Sequence, residues 1–225
     1  MFDRYKDSYV RTVQDSVRFS GLGYGFFLRS KAALLKCILA QRLPTVGAPS
    51  MLDVGCGVGA LHTLLRAFVG DIHGVDVSAE CIKRAGQDNP WASYEAYDGA
   101  RLPVADGQFD MVLAVCVAHH VPVPNRVMFF SELRRAARPG GLVCVIEHNP
   151  FNPLTRLSVM RCEFDKDAVL LRRSLTMDLL RTAGVGDLGS QYFVFIPSTG
   201  PLALHIERGL WWAPLGAQYA AYGRA

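Results

Sequence analysis

The residues best suited to chemistry stand where short apolar segments end. Asp53 is the last residue but one of the apolar segment 50–54, and Gly55 and Gly57 follow at alternating positions. Glycine accepts strained backbone angles and has no Cβ, so a turn of this kind lets the backbone approach a nucleotide-like ligand closely. A strand before the turn and a helical pattern from Ala60 onward are typical of a doubly wound α/β fold.

A second carboxylate lies at the spacing expected for a ribose contact. Asp76 ends the next strand candidate, 71–76. An acid about 20 residues beyond a glycine turn can accept hydrogen bonds from ribose hydroxyls. This arrangement fits NAD as well as an adenosyl ligand, because Gly55, Gly57 and Ala60 also satisfy a dinucleotide fingerprint. The remaining motifs have to decide between the two.

Further motifs continue the pattern in chain order. They are Asp98-Gly99 within 97–103, Phe109-Asp110, His119-His120 and Pro139-Gly140-Gly141. With the glycine turn and Asp76, the segment from Asp53 to Glu147 resembles the class I S-adenosylmethionine-dependent methyltransferases, particularly the small-molecule branch. A dinucleotide-binding oxidoreductase would share the glycine turn and Asp76 but would not require the later motifs.

The resemblance implies a cofactor, S-adenosylmethionine, and the residues that hold it. In this family the glycine turn holds the methionyl part, the acid after the second strand holds the ribose, and the acid after the third strand contacts the adenine amino group. Carried over by position, the predicted cofactor-binding residues are Asp53, Gly55, Gly57, Asp76, Val77, Asp98, Gly99 and Cys116.

Strand and helix patterns alternate along the chain, which predicts a parallel sheet with right-handed crossovers. The predicted strands are 50–54, 71–76, 92–97, 109–115, 141–147, 190–196 and 216–222, and the predicted helices are 3–18, 26–42, 60–68, 78–87, 125–137, 154–161 and 174–183. The resemblance implies an α/β, Rossmann-like sheet of seven strands in the order 3-2-1-4-5-7-6, with the last strand antiparallel and helices on both faces.

The expected organisation is one methyltransferase domain over residues 1–225. Residues 1–45 form an N-terminal helical lid, 46–150 the cofactor-binding core, and 151–225 the substrate-side insertions and last strands. The basis is the length of the chain, which suits one α/β domain, and the absence of an internal repeat.

The ends of the fourth and fifth strands supply the predicted catalytic residues, His119, His120 and Glu147. Imidazole titrates near neutrality and can take a hydroxyl proton, and neighbouring strands lie about 5 Å apart, so the pair can meet the carboxylate. Some natural-product and sugar O-methyltransferases of the superfamily combine such a histidine and acid, which by position are His119 and Glu147. The alternative is that the histidine pair serves shape and hydrogen bonding. No role is assigned to His62.

Composition excludes several other classes. No apolar run reaches the roughly 18–20 residues that span a bilayer, and residues 2–7 contain no apolar segment, so a signal peptide is not expected. The six cysteines lie far apart without metal-ligand spacing, so a reducing cytoplasm without disulfide or zinc is expected. The net charge of +4 comes from scattered basic residues. The Asn/Asp-Pro-Pro-aromatic motif of many base-modifying methyltransferases does not follow the fourth strand, so nucleic acid is not the expected partner.

The predicted function is methyl transfer to a small or medium-sized acceptor, at a hydroxyl of a sugar, natural product or lipid-linked intermediate. The alternatives are an NAD-dependent Rossmann oxidoreductase, a catalytically silent adenosyl-binding partner protein, and an aminopropyl transferase, which normally carries a dense set of acids that this chain lacks.

The insert 197–214 contains an apolar segment. Residues 202–212 have an apolar stripe at helical spacing that ends in Trp211 and Trp212. Adjacent helix positions point about 100° apart, so one tryptophan is expected to be exposed. The stripe either packs on the sheet, forms a homodimer contact, or walls a pocket for an apolar acceptor.

Overall fold

Seven strands form one sheet in the order β3-β2-β1-β4-β5-β7-β6. The computed structural model describes residues 14–16, 22–196 and 209–225. The strands are β1 (Met51–Val54), β2 (Ile72–Asp76), β3 (Ser93–Ala96), β4 (Phe109–Val115), β5 (Ala137–His148), β6 (Gly186–Phe193) and β7 (Gln218–Arg224). Strands β1 to β5 pair in parallel, and β7 pairs antiparallel with both β5 and β6. The predicted strand order and the antiparallel last strand are confirmed.

Between Tyr24 and Thr182, within the described part of the chain, helices connect and cover the strands. They are α1 (Tyr24–Arg42), α2 (His62–Leu65), α3 (Ala79–Asp88), α4 (Arg126–Ala136), α5 (Pro153–Arg161) and α6 (Arg173–Thr182), with short 3-10 helices at Val123–Asn125 and Glu163–Asp165. The side chain of Ser78 caps α3 by accepting from the Cys81 N–H, and Asn152 caps α5 with Pro153 at the first turn. Among the described residues, no helix is both long and apolar enough to cross a membrane.

The central strands are buried on both faces, as expected when helices cover both sides of a parallel sheet. Alternate residues of one strand point to opposite faces, so each central strand contributes to two apolar layers. The first layer includes Leu52, Val112, Val143, Phe130 and Leu180, and the second includes Met51, Met111, Cys144, Leu35 and Ile38. This packing holds the carboxyl ends of β1, β4 and β5 side by side.

The buried ring of Tyr219 fixes β7 to the layer that α6 covers. Its hydroxyl donates to the Leu171 carbonyl at 2.8 Å and lies 2.6 Å from the Thr176 hydroxyl. Tyr219 is the partner of Glu147 in the β5–β7 register. The last strand therefore fixes the end of β5, where one of the predicted catalytic residues lies.

Two strands begin earlier than their patterns predict, at Ala137 instead of 141 and at Gly186 instead of 190. In β5 the Gly140 N–H donates to the Ala225 carbonyl, and Gly140 takes a φ of 74° where the register with β4 shifts, so the strand continues through an irregularity that its pattern does not predict. In β6 a Cβ at Gly189 would lie 2.6 Å from the Tyr222 ring, so this pairing needs glycine, which strand propensity disfavours. The predicted helix 3–18 lies outside the described residues except for 14–16, and so do residues 202–208 of the predicted insert helix.

Candidate active site

A cavity of about 640 Å³ opens at the carboxyl ends of the parallel strands, beside the point between β1 and β4 where the strand order reverses. Open α/β sheets bind ligands at this position, and ligand cavities are typically about 300–1,000 Å³. All eight residues predicted to bind the cofactor line this cavity. Of the three predicted catalytic residues, His120 lines it, whereas His119 and Glu147 lie behind its wall.

The glycine turn has the backbone that its sequence suggests. Gly55 and Gly57 have φ angles of 75° and 54°, in the left-handed region that favours glycine. A Cβ on Gly55 would lie only 2.4 Å from a methyl group of Val117. The turn therefore needs glycine both for its conformation and for its contact with the segment after β4.

Asp76 is tied to the glycine turn by its own side chain. One carboxylate oxygen accepts from the Gly57 N–H at 2.8 Å and the other from the Ser78 N–H at 2.9 Å. Burial raises the pKa of Asp76, while these backbone hydrogen bonds act in the opposite direction. Asp98, whose carboxylate accepts from the Ala100 N–H at 2.8 Å, lies on the same cavity together with the half-exposed Val77.

Asp53 belongs to a chain of hydrogen bonds below the turn. Its Oδ2 lies 2.9 Å from Nε2 of His62, and Nδ1 of His62 lies 2.6 Å from the Tyr94 hydroxyl. The other oxygen, Oδ1, is buried and has no hydrogen-bond partner within the described part of the chain. Asp53 is thus held through one oxygen, and the residue lines the cavity.

Cys116, the last of the predicted cofactor-binding residues, has an unusual backbone angle and a charged neighbour. Its φ angle is 57°, which is uncommon for a residue other than glycine. Its sulfur accepts from Nζ of Lys31 at 3.8 Å and from the Gln218 amide at 3.5 Å. Burial raises the pKa of the Cys116 thiol, and the Lys31 charge opposes that effect. Lys31 is the one Lys or Arg among the described residues of the cavity wall.

His119 and Glu147 meet, as their strands predict. Nδ1 of His119 lies 2.5 Å from one oxygen of the fully buried Glu147, whose other oxygen accepts from the Ala118 N–H at 2.8 Å. Nε2 of His119 lies 3.3 Å from Asp165. Burial lowers the pKa of His119, but the two carboxylates outweigh burial and raise it to about 10. This imidazole is therefore protonated and fully paired at neutral pH.

His120 is the histidine of the pair that reaches the cavity. Its side chain is 24% exposed, and its Nε2 lies 3.3 Å from the same Asp165 oxygen. His148 also lines the cavity, and burial lowers its pKa to about 4, so its ring is neutral. Burial raises the pKa of Asp165, but hydrogen bonds from His119 and His120 outweigh it and lower that pKa far below its ordinary value. His119, His120 and Asp165 together form the imidazole cluster.

Sequence reasoning missed three residues of this site. Asp165 enters from the 3-10 helix after α5, Lys31 from the N-terminal helix α1, and His62 from the start of α2. None of the three stands in a local motif, and only their positions in the folded chain bring them to the strand ends.

The sheet, the glycine turn and the cavity at the strand ends define an adenosyl-binding α/β protein of the methyltransferase topology. Comparison with known proteins agrees. Residues 52–145 match the family model described as a methyltransferase domain. This match and the strand order support a class I S-adenosylmethionine-dependent methyltransferase, and S-adenosylmethionine is the cofactor that such a match implies.

Two curated relatives show the extent of the sequence match. A 2-methyl-6-phytyl-1,4-hydroquinone methyltransferase of Synechocystis is 34% identical over 44% of this chain and 32% of its own length. The chloroplastic tocopherol O-methyltransferase of Arabidopsis thaliana is 26% identical over 63% of this chain and 37% of its own length. The chain thus spans about a third of the length of these relatives.

One solved structure shows that the likeness of fold extends over nearly the whole chain. A SAM-dependent methyltransferase from Thermotoga maritima covers 99% of this chain, with 97% of its own length aligned, at a TM-score of 0.71 and 20% identity. At this identity the likeness describes the fold.

The residues present fit S-adenosylmethionine. The methionyl end of that molecule carries an ammonium and a carboxylate, and the cavity offers the buried, unpaired Oδ1 of Asp53 and the ammonium of Lys31. The glycine turn leaves space where a Cβ would stand, and the two oxygens of Asp76 can accept from ribose hydroxyls in addition to their backbone bonds. When bound, the cofactor supplies a methyl group activated by a positively charged sulfur.

Proposed function

We propose that this protein transfers the methyl group of S-adenosylmethionine to a hydroxyl oxygen of a small or medium-sized acceptor, of the class of sugars, natural products or lipid-linked intermediates. One observation carries the proposal: the cavity that is lined by the eight cofactor residues is also lined by His120 and Asp165. A methyl donor and a group that can handle a hydroxyl proton therefore share one space.

The protein's part in such a reaction is alignment and proton removal. The acceptor oxygen forms the new bond to the methyl carbon, and the bond between carbon and sulfur breaks with its electron pair left on sulfur. A hydroxyl acceptor must lose its proton, and an imidazole is suited to take it near neutral pH. Holding donor and acceptor in line accounts for much of the rate in reactions of this type.

The geometry favours His120 as the group that takes the proton. His120 lines the cavity, and Asp165 holds its Nε2 at 3.3 Å. The sequence assigned this role to His119 together with Glu147. Both ring nitrogens of His119 face carboxylates, and its ring lies behind the cavity wall, so we propose that His119 and Glu147 hold Asp165 and the end of β4 in place.

The walls around the imidazole cluster favour an acceptor with an apolar part. Leu154, Phe164, Val121 and Phe195 line the cavity together with His120. The names of the two relatives support the same class of acceptor, because one names a phytyl hydroquinone and the other tocopherol. We therefore rank phenolic and quinol acceptors with apolar substituents first among natural products.

The alternatives predict other outcomes. A dinucleotide-binding oxidoreductase has an all-parallel sheet in its usual form, whereas β7 is antiparallel here. A silent adenosyl-binding protein would bind the cofactor without turnover. An aminopropyl transferase would need carboxylates for a polyamine. The acids of the described cavity wall already have contacts: Asp53 and Asp165 with imidazoles, Asp76 with the glycine turn, and Asp98 with the Ala100 N–H.

The experiment is a screen for S-adenosylhomocysteine formation across phenols, quinols, sugars, hydroxylated metabolites and lipid intermediates. The proposal predicts turnover with one acceptor class, with the new methyl group on oxygen, and loss of turnover in Asp76→Ala. Binding of S-adenosylhomocysteine without turnover on any acceptor would favour the silent protein. Transfer to carbon or nitrogen would overturn the assignment of the acceptor atom.

A further inference from the structure

The imidazole cluster has the geometry of a cation site. Nε2 of His119 and Nε2 of His120 each lie 3.3 Å from the same oxygen of Asp165. One ligand atom from each of the three side chains lies within 4.8 Å of the other two. Zinc bonds of about 2.0–2.1 Å at tetrahedral angles place neighbouring ligand atoms about 3.3–3.4 Å apart. Hydrogen bonds between a cation and a carboxylate are typically shorter, about 2.7–2.9 Å.

The hydrogen bond behind His119 has the form that orients a metal ligand. Its Nδ1 lies 2.5 Å from Glu147, and Glu147 is fixed in turn by the Ala118 N–H. Histidines that bind metals almost always donate their other ring N–H to a carboxylate or carbonyl, which fixes the ring and directs the free nitrogen at the ion. Here the other ring nitrogen is Nε2, which lies 3.3 Å from Asp165 and on a ring that packs against His120.

The charges of the cluster also leave room for a cation. Glu147 is fully buried and the Asp165 side chain is 10% exposed, so both carboxylates require positive charge nearby. Within the described ranges, 14–16, 22–196 and 209–225, the basic groups within 4.0 Å of either carboxylate are the imidazoles of His119 and His120. A divalent ion balances two carboxylate charges and displaces the proton from His119 Nε2 as it binds.

We propose that His119, His120 and Asp165 hold one divalent transition-metal ion, with zinc the first choice. Two imidazoles and one carboxylate suit zinc and its first-row neighbours better than magnesium, which prefers oxygen ligands. Three protein ligands leave a coordination position open, as in catalytic zinc sites. Because His120 and Asp165 line the cavity, an ion held there would lie beside the space for the acceptor hydroxyl, which rests on the proposed function. With the ion bound, His120 would act as a ligand, and the ion would take over from the free imidazole the task of favouring loss of the hydroxyl proton.

No local motif of the sequence indicates this site. His119 and His120 are adjacent, and adjacent residues do not form a recognisable metal-binding spacing. The third ligand, Asp165, stands 45 residues after His120. It belongs to the 3-10 helix Glu163–Asp165, which follows α5. Only the packing of that short helix against the end of β4 brings the carboxylate to the imidazoles.

Metal binding can be measured without any acceptor. The full chain is treated with a chelator, dialysed, and titrated with Zn²⁺ by calorimetry, and with Co²⁺ by visible absorption, which reports the ligand set. The proposal predicts one ion per chain, and an affinity at least 100-fold lower in Asp165→Asn and in His120→Ala. Glu147→Gln should weaken binding by about 10-fold to 100-fold, because it orients a ligand without touching the ion.

His73→Ala is the matched control, since His73 bonds Ser93 at the opposite end of β2. Circular dichroism of each variant shows that it is folded. No bound ion, or equal binding by the wild type and both ligand variants, overturns the metal site. Zinc binding without methyl transfer to any acceptor would support the metal site and overturn the proposed function. Unchanged turnover after complete chelation would overturn the role of the ion at the acceptor.

Discussion

Nε2 of His62 lies 2.9 Å from Oδ2 of Asp53, and the Tyr94 hydroxyl closes the other side of the same ring at 2.6 Å. His62 is fully buried, and Asp53 is nearly so. The carboxylate below the glycine turn is therefore oriented by an imidazole from the next helix. A Cβ on Gly59 would lie 2.8 Å from the Tyr94 hydroxyl, so that glycine makes room for the arrangement.

Replacing His62 by phenylalanine should destabilise the protein. The ring volume is kept, but Asp53 loses its partner, and a buried acceptor left unsatisfied costs about 1–3 kcal/mol, or more when charged. We expect the free energy of unfolding in urea to fall by about 2 kcal/mol or more. His73→Phe, at the half-exposed start of β2, is the control. Equal unfolding midpoints for the wild type and His62→Phe would show that the bond to Asp53 contributes nothing.

His120 and His119 should differ in their effects on turnover. If His120 takes the acceptor proton, His120→Ala lowers kcat by about 10² to 10⁴ while affinity for S-adenosylhomocysteine stays nearly unchanged. His119→Gln keeps a hydrogen-bonding side chain between two carboxylates, so we expect a smaller loss of kcat together with a lower melting temperature. Single-turnover rates with the identified acceptor test both variants. Full turnover in His120→Ala would rule out the role.

Lys31 should favour ligands with negative charge at the methionyl end of the cavity. The lysine is buried beside the Cys116 sulfur, and it is the one Lys or Arg in the described cavity wall. We expect Lys31→Met to weaken binding of S-adenosylhomocysteine by about 10-fold, the loss of one charge-assisted hydrogen bond. Lys36→Met, on the exposed face of the same helix, should leave binding unchanged. Equal affinities in both variants would place the cofactor carboxylate elsewhere.

Both tryptophans at the end of the insert are exposed, 49% for Trp211 and 61% for Trp212. The sequence predicted one exposed ring, and the second is exposed because residues 211–212 form a turn instead of continuing a helix. We therefore expect neither Trp211→Ser nor Trp212→Ser to change the free energy of unfolding by more than about 0.5 kcal/mol. Sedimentation velocity then tests the homodimer contact, which stays a prediction. A large loss of stability in either variant would mean that its ring packs in the core.

The fold could be predicted because its signals are local. Asp53 is the last residue but one of β1, and Asp76 ends β2. A turn and helical periodicity follow each strand, so parallel strands joined by helices can be predicted along the chain, whereas the strand order came from the family resemblance. The glycine turn and Asp76 could be predicted for the same reason: a cofactor contact that uses backbone and one side chain leaves a compact motif. The starts of β5 and β6 could not be predicted from the sequence, since Pro139 and Gly189 are residues that normally interrupt strands.

The acceptor side of the cavity was much less predictable. His119 and Glu147 were expected to meet because they end neighbouring strands. Asp165 and Lys31 reach the cavity from a short 3-10 helix and from a helix that precedes the sheet. Tertiary packing brings these two charged side chains to the cavity, and no spacing within the sequence indicates that contact. The burial that pairs His119 with two carboxylates also depends on packing.

The binding of S-adenosylhomocysteine, compared with NAD, tests the central claim most directly. Asp76 accepts two backbone bonds and can accept ribose hydroxyls as well, so Asp76→Ala should reduce the binding free energy by roughly 1.5–3 kcal/mol. Asp71→Ala, at the exposed residue just before the other end of this strand, is the control. Titration calorimetry should give micromolar affinity for S-adenosylhomocysteine in the wild type and the control, a weaker value in Asp76→Ala, and no comparable binding of NAD. Equal affinity in wild type and Asp76→Ala, or tighter binding of NAD, would contradict the account.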